Sequence, residues 1–261
     1  MTDRTVAITG AASGMGASLV ARLRAQSARV IGIDLAATDV VTDLTTGKGR
    51  QRCVDAVAEQ SGGRLDGLVT CAGLSGHCGR PGSDVVSVDY FGSVEVLSGL
   101  RPLLAQGRSA AVAISSIGAA VHPQLELDVV TACLDGDEEK ARALADIAGP
   151  PLSYVAAKLA LIRWIRLNAT TREWIGSGVT LNAVAPGLVD TPMVTEALRT
   201  ADGRDVVDNF GVPAGRAGAP GEVAALVDFL LGAEARYIVG AVMIIDGGKD
   251  AAARPKWRPS T

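Results

Sequence analysis

Six short runs rich in β-branched and small apolar residues recur along this 261-residue chain, and the stretches between them carry helical periodicity. The runs are TVAITG (5–10), ARVIGID (28–34), DGLVTC (66–71), AAVAISS (110–116), GVTLNAVAP (178–186) and AVMIID (241–246). Several are apolar at successive positions instead of alternating. Such a strand has both faces buried, as in a parallel sheet covered by helices. Helical patterns at 14–26, 48–60, 83–105, 153–175 and 220–232 supply the covering layers. Strands alternating with helices predict βαβ units and a doubly wound sheet. A further short strand, DVVTDL (39–44), follows Asp34 so soon that its connecting helix shrinks to a turn or so, although a parallel crossover ordinarily takes roughly a dozen residues. No internal repeat, linker or compositional break is visible. We read 1–261 as a single α/β domain with a parallel sheet of about seven strands.

Composition excludes several functions. The chain is 48% hydrophobic and 20% charged with a net charge of −3, so it has a sizeable core and no bulk attraction to nucleic acid or acidic lipid. No run approaches the roughly 20 apolar residues of a membrane span. The start, MTDRTVAITG, enters a strand pattern at once, without the apolar segment and cleavage site of a signal peptide. A cytoplasmic location is expected. Cys53, Cys71, Cys78 and Cys133 lack metal-ligand spacing and read as reduced thiols, so no metal is expected. His77 and His122 have no partner at ligand spacing and read as loop residues. Trp164 and Trp174 are placed on the helix after 153 as packing residues. The basic tail ARPKWRPST is either a disordered end or a strap over a neighbouring surface.

TGAASGMG (9–16) follows the first strand and opens a helix, with Gly10, Gly14 and Gly16 in a GxxxGxG pattern. Glycines let the backbone turn tightly and approach a ligand, and the helix N-terminus offers free N–H groups to a pyrophosphate. Asp34 ends the second strand, 18 residues after Gly16. An acid there accepts hydrogen bonds from ribose hydroxyls and repels a 2′-phosphate. Leu35 and Ala36 follow, with no arginine to receive that phosphate, so NAD is expected over NADP. Asp43, in the run TDL (42–44), is expected to reach the adenine amino group.

SYVAAK (153–158) sets Tyr154 and Lys158 one helical turn apart. A free tyrosine, with a pKa near ~10, is a poor base at neutral pH, and a nearby ammonium favours its phenolate. By itself the pair is ordinary helix surface as readily as a proton-transfer device. With the glycine loop upstream and the hydroxyl-bearing strand end ISS between them, three elements converge at the carboxyl edge of the sheet, where open α/β folds bind ligands.

This constellation resembles the short-chain dehydrogenase/reductase family over nearly the whole chain. The resemblance rests on TGxxxGxG at 9–16, CAG at 71–73, SS at 115–116, YxxxK at 154–158, NAVAPGLVDTPM at 182–193 and DGG at 246–248. It implies a Rossmann fold and a set of roles. Tyr154 is the general acid/base, Lys158 lowers its pKa and binds the nicotinamide ribose, and Ser116 hydrogen-bonds the substrate oxygen. The cofactor wall then comprises Gly10, Ser13, Gly14, Met15, Gly16, Asp34, Leu35, Asp43, Leu44, Cys71, Ala72 and Gly73. Pro186, Gly187, Val189 and Thr191 border the nicotinamide, with the Val189 N–H on its carboxamide. The segment from about Met193 to Gly215 is expected to be a mobile substrate lid. One departure concerns Asp89, in VDYFG (88–92), where the family usually has an asparagine. The carboxylate either steadies Lys158 as a cation or competes for it. Asp89 is therefore counted with the catalytic group.

Tyr154 lies 38 positions after Ser116, against about a dozen in most members of the family. The excess, roughly 124–150, reads as two amphipathic helical halves around DGDEE, with Asp137 as N-cap of the second. Leu125, Val129 and Ala132 form one apolar row, and Leu144 and Ile147 share a face. Two short helices outside the core are expected to need a partner, so this hairpin is read as a homodimer contact, with a lid or flap as the alternative and a tetramer left open. The insertion, together with VSVDYFG, DGLVTCAGL and IDGGKDAAARP, resembles the bacterial 3α-hydroxysteroid dehydrogenase/carbonyl reductase subgroup. Coniferyl alcohol dehydrogenases share much of the pattern. The implied substrate is a hydrophobic secondary alcohol or ketone, steroid-like or aryl/allylic. A catalytically silent NAD sensor is the reading from another class.

Overall fold

The computed structural model describes residues 4–121 and 127–256. β1 (Thr5–Thr9) is buried along its whole length, as a two-sided strand must be. It leads to α1 (Gly14–Ala25), β2 (Arg29–Asp34), β3 (Val40–Val41), α2 (Gly47–Ser61) and β4 (Gly67–Thr70). Then come α3 (Gly82–Val86), a π-helical turn (Ser87–Gly92), α4 (Ser93–Leu104), β5 (Ser109–Ile114) and α5 (Ile117–Ala120). α6 (Asp128–Leu134), α7 (Glu138–Ala148) and α8 (Pro150–Asn168) precede β6 (Val179–Pro186). α9 (Pro192–Ala197), α10 (Ala201–Asp208), α11 (Pro220–Leu231), β7 (Val242–Ile245) and α12 (Lys249–Ala253) follow.

All seven strands are parallel, in the order β3-β2-β1-β4-β5-β6-β7. The chain runs outward from β1 to β3, then returns to β4 on the other side. The halves therefore part between β1 and β4, and their carboxyl ends open a crevice there. Alternate side chains of β1 enter opposite cores. Val6 and Ile8 pack with Leu19, Leu23 and Val227, whereas Ala7 packs with Leu68, Leu97 and Leu161. The predicted short strand is real: β3 pairs Val40 with Ile33 and Val41 with Asp34.

Four expectations need correction. The helix expected at 83–105 is interrupted by the π turn, which re-aims the residues around Asp89. The helix expected at 153–175 begins at Pro150 and ends at Asn168. Gly149 (φ 82°) turns the chain, and Pro150 takes the first helical position, where its missing N–H costs nothing. Trp174 therefore lies beyond the helix, at the edge of a 3-10 turn, and packs edge-on against Trp164 with ring centroids 5.9 Å apart. The lid segment is not a bare loop: α9 and α10 occupy much of it, with the Thr200 side chain accepting from Gly203 N–H at the start of α10. Last, the insertion buries part of its apolar surface within its own chain. Val129, Val130, Ala132, Cys133, Ala141 and Ala145 join the core beneath α8, and Ile147 is left 84% exposed. Asp137 caps α7 as expected, accepting from Lys140 N–H at 3.0 Å. His122, Leu125 and the tail after Lys256 lie outside the described residues.

Candidate active site

The crevice between β1 and β4 is lined by Gly10, Ser13, Gly14, Met15 and Gly16 from the loop, with Asp34, Leu35, Asp43 and Leu44 on one flank. Cys71, Ala72 and Gly73 form its floor and Thr191 faces it from the segment after β6. The loop fits a pyrophosphate. A Cβ at Gly16 would lie 2.0 Å from the Gly10 carbonyl oxygen, so only glycine allows this turn to close at the helix N-terminus. Thr9 ties the loop to the floor, its Oγ1 accepting from Cys71 and Ala72 N–H at 3.1 Å each. Asp34 is aimed by two backbone donors, Ala12 N–H at 2.9 Å and Leu35 N–H at 2.7 Å. Asp43 accepts from Thr45 N–H and its hydroxyl.

Ser116 follows β5 by two residues, is extended and caps α5, its Oγ accepting from Gly118 N–H at 3.2 Å. The same hydroxyl stands close enough to the Tyr154 phenol to favour its ionised form. The neighbouring Ser115 is buried and donates to the Lys158 carbonyl at 3.0 Å, a structural bond. The tertiary fold thus separates the roles of the two serines. Ala156, Ala157 and Ala160, all fully buried, let α8 lie close against the core. This carries Lys158 inward: only 4% of the residue is exposed, and its Nζ donates to the Ile114 carbonyl at 3.1 Å. Nζ lies 5.9 Å from the Tyr154 ring centroid.

Asp89 completes the cluster from the π turn. It is wholly buried, lies 3.5 Å from Lys158 Nζ through Oδ1, and the same oxygen accepts from Leu74 N–H at 2.9 Å. Oδ2 is buried and receives no hydrogen bond from the described residues. Gly73 leaves room for this approach, since a Cβ there would sit 2.6 Å from Asp89 Oδ1. Burial pushes the Asp89 carboxyl up to about 6, with Lys158 opposing. Burial likewise holds the Tyr154 phenol above its ordinary value; Lys158 pulls it down, Asp89 pushes it up and Ser116 pulls it down. Burial outweighs the lysine, contrary to the simple expectation of a depressed tyrosine. Burial pushes the Cys71 thiol up to about 11, which keeps it a neutral packing group.

Pro186, Gly187 and Val189 stand at and beyond the carboxyl end of β6 but do not line the crevice in this conformation. Val189 is buried and bridges to Gly218, while Gly187 packs on Asp246, where a Cβ would lie 2.7 Å from that residue's Cα. The motif reading missed Leu74, Arg80 and Val88, which also line the crevice. Val88 was legible as the neighbour of Asp89; Arg80 sits in a loop with no local pattern. Among the described residues no group of His, Cys, Asp or Glu could hold a metal ion, and no helix is long and apolar enough to cross a membrane.

A 3-alpha-hydroxysteroid dehydrogenase/carbonyl reductase from Comamonas testosteroni is 37% identical over 255 residues, spanning 96% of this chain and 98% of its own. The chain belongs to the short-chain dehydrogenase/reductase family. A family model described as enoyl-(acyl carrier protein) reductase matches residues 142–250 of this short-chain dehydrogenase/reductase. The crystal structure of the 3-alpha-hydroxysteroid dehydrogenase from Pseudomonas sp. B-0831 complexed with NADH superposes with a TM-score of 0.94 at 41% identity, covering 97% of this chain and all of the other. A coniferyl-alcohol dehydrogenase from Pseudomonas sp. (strain HR199 / DSM 7063) is 28% identical over 256 residues, 95% of this chain and 97% of its own.

The buried Asp89 gives this family member a pH-dependent stability. Its pKa rises from 3.8 to about 6 on folding, so between those values the folded chain holds a proton that the unfolded chain has released. Stability therefore falls as pH rises through that window, by on the order of 3 kcal/mol in all. Asp89→Asn keeps an acceptor for Leu74 N–H and cannot titrate. Urea unfolding at pH 4 and pH 7 is expected to show the wild type losing stability relative to the variant across that interval. Parallel pH dependence in the two proteins would refute the buried-carboxyl account.

Proposed function

We propose that this chain is an NAD-dependent oxidoreductase that interconverts a hydrophobic secondary alcohol and its ketone, with Tyr154 as acid/base. The observation that carries the proposal is the convergence of Tyr154, Ser116 and Lys158 beside a glycine-lined crevice at the carboxyl edge of the sheet. The glycine loop and Asp34 would hold the pyrophosphate and adenosine ribose, and Lys158 the nicotinamide ribose. Bound NAD supplies the hydride chemistry. In oxidation, the Tyr154 phenolate takes the proton of the substrate hydroxyl while Ser116 donates a hydrogen bond to the same oxygen. In reduction, the Tyr154 phenol returns a proton to the carbonyl oxygen. Lys158, held by the Ile114 carbonyl and Asp89, keeps a positive charge beside the phenol and favours its ionised form.

A 3α-hydroxysteroid is the preferred substrate class, supported by the named activities of the two most similar relatives described above. An aryl or allylic alcohol is the runner-up, supported by the coniferyl-alcohol dehydrogenase. The segment 193–215 would cover the substrate, and Met193 already faces the crevice. A cytoplasmic location remains part of the reading. So does a homodimer through 124–150, with the exposed Ile147 as its support.

The test is formation of reduced nicotinamide from NAD or NADP across a panel of 3α-hydroxysteroids and cinnamyl-type alcohols. Turnover of steroids with NAD is the expected result. Turnover of cinnamyl alcohols alone would keep the mechanism and replace the substrate. NAD binding without turnover on any secondary or allylic alcohol would favour the silent sensor.

A further inference from the structure

The insertion reaches the cofactor crevice through one buried arginine. Arg50, in the first turns of α2, is 2% exposed. Its Nε donates to Glu95 Oε2 at 2.8 Å, its Nη1 to Glu138 Oε1 at 3.1 Å and to the Leu44 carbonyl at 3.2 Å, and its Nη2 pairs with Glu138 Oε2. Glu138 opens α7, the second helix of the insertion, whereas Leu44 lines the flank of the crevice. The same glutamate accepts from the Ser87 hydroxyl at 2.8 Å, and Arg142 of α7 donates to that hydroxyl at 2.5 Å. Ser87 begins the π turn that carries Asp89.

Further bonds hold α7 to α3 and hold the Leu44 loop to α2. Asp146 accepts from Ser83 N–H at 2.8 Å, and Arg142 donates to the Ser83 carbonyl at 3.2 Å. Gly82 lies so close to α7 that a Cβ there would be 2.2 Å from the Ala145 carbonyl oxygen. On the other side, the Thr42 hydroxyl donates to the Gly49 carbonyl at 2.8 Å, joining the crevice flank to the start of α2. A Cβ at Gly49 would fall 1.8 Å from the Asp43 carbonyl oxygen, so this contact too is closed by a glycine.

We infer that the insertion is a brace for the cofactor site, with Glu138 a positioning residue that sets the adenine-facing loop Thr42–Leu44 through Arg50. The inference rests on the reading that the cofactor's adenine lies against this loop. A planar guanidinium suits the task because its fork can serve a carboxylate and a carbonyl at fixed angles, which a lysine ammonium cannot do. Such a brace explains why Glu138, at the start of α7, is turned toward Arg50. It also gives the insertion a role that requires no second subunit.

The test compares NADH and ADP-ribose affinities, by fluorescence and calorimetric titration, in the wild type, Glu138→Gln, the double variant Arg50→Met with Glu138→Met, and Asp43→Ala. Removing Glu138 alone leaves the buried Arg50 with Glu95 but short of its second acid; removing both residues takes the buried charge away, so the double variant protects the test against simple misfolding. The expected result is about tenfold weaker binding of both ligands in Glu138→Gln and in the double variant, equivalent to one strong hydrogen bond. The KM for NAD should rise in parallel, with kcat at saturating NAD held within about twofold of the wild type. ADP-ribose affinity that is lowered in Asp43→Ala but unchanged in both latch variants overturns the brace and leaves the cofactor reading standing. Unchanged affinity in Asp43→Ala as well removes adenine from this loop, and the brace falls with it.

Discussion

Tyr154→Phe is expected to lower kcat by roughly 10³-fold while leaving the affinity for NADH within about twofold, since positioned acid/base groups contribute on the order of 10²–10⁴. The substitution removes one oxygen from a partly buried ring and leaves α8 unaltered. Lys158 keeps its bonds to the Ile114 carbonyl and to Asp89, so the surrounding charge arrangement survives. What disappears is a group beside Ser116 that can exchange a proton with a substrate oxygen. Steady-state rates in both directions, with NADH titration as the control, test this. Retention of more than about a tenth of the activity would assign the proton transfer to another group.

The pH dependence has a definite sign. Alcohol oxidation needs the phenolate, so its rate rises with pH through the Tyr154 pKa, whereas ketone reduction needs the phenol and declines. Burial and Asp89 both push that pKa up. Neutralising Asp89 in Asp89→Asn is therefore expected to move the acid limb of oxidation to lower pH, with a smaller change in substrate KM. Superimposable profiles would mean that Asp89 does not act on the phenol.

The second large effect concerns the cofactor. Asp34→Ser combined with Leu35→Arg is expected to change the NADH:NADPH affinity ratio by about 10³-fold, from a preference for NADH to one for NADPH. Two backbone N–H groups point the Asp34 carboxylate into the crevice, where it can accept from ribose hydroxyls. A charged hydrogen bond of this kind is worth about 1.5–3 kcal/mol, and a 2′-phosphate about 4 Å from the carboxylate meets repulsion of similar size. Leu35 is 61% exposed, so an arginine there displaces no core packing and can approach the phosphate. Fluorescence titration with the two reduced cofactors measures the ratio. A shift of less than tenfold would place the adenosine ribose away from Asp34.

Much of this site was legible in the sequence because its parts are local. The glycine loop announces itself through spacing, since each glycine answers to a turn or a close backbone contact within a few residues. Tyr154 and Lys158 are linked by helical periodicity alone, and Asp34 by its place at a strand end. Leu74 and Arg80 were not legible, because they reach the crevice from an irregular loop whose path no periodicity records. The end of α8 was misjudged too: the chain leaves the helix at Asn168, where the largely polar run NATTRE (168–173) begins, and Trp174 packs back from a turn.

The sequence by itself determined the parallel sheet, the phosphate loop and the pairing of Tyr154 with Lys158, because burial on both faces, tight turns and helical phase are each written in neighbouring residues. Tertiary structure alone decided that Ser115 bonds the Lys158 carbonyl, that the buried Asp89 and Lys158 meet, and what covers part of the apolar surface of the insertion. Amphipathicity reveals that a face must be covered, but its cover is a non-local choice. Here α3 and α8 supply much of it, and Arg50 ties the start of α7 to the loop that flanks the crevice.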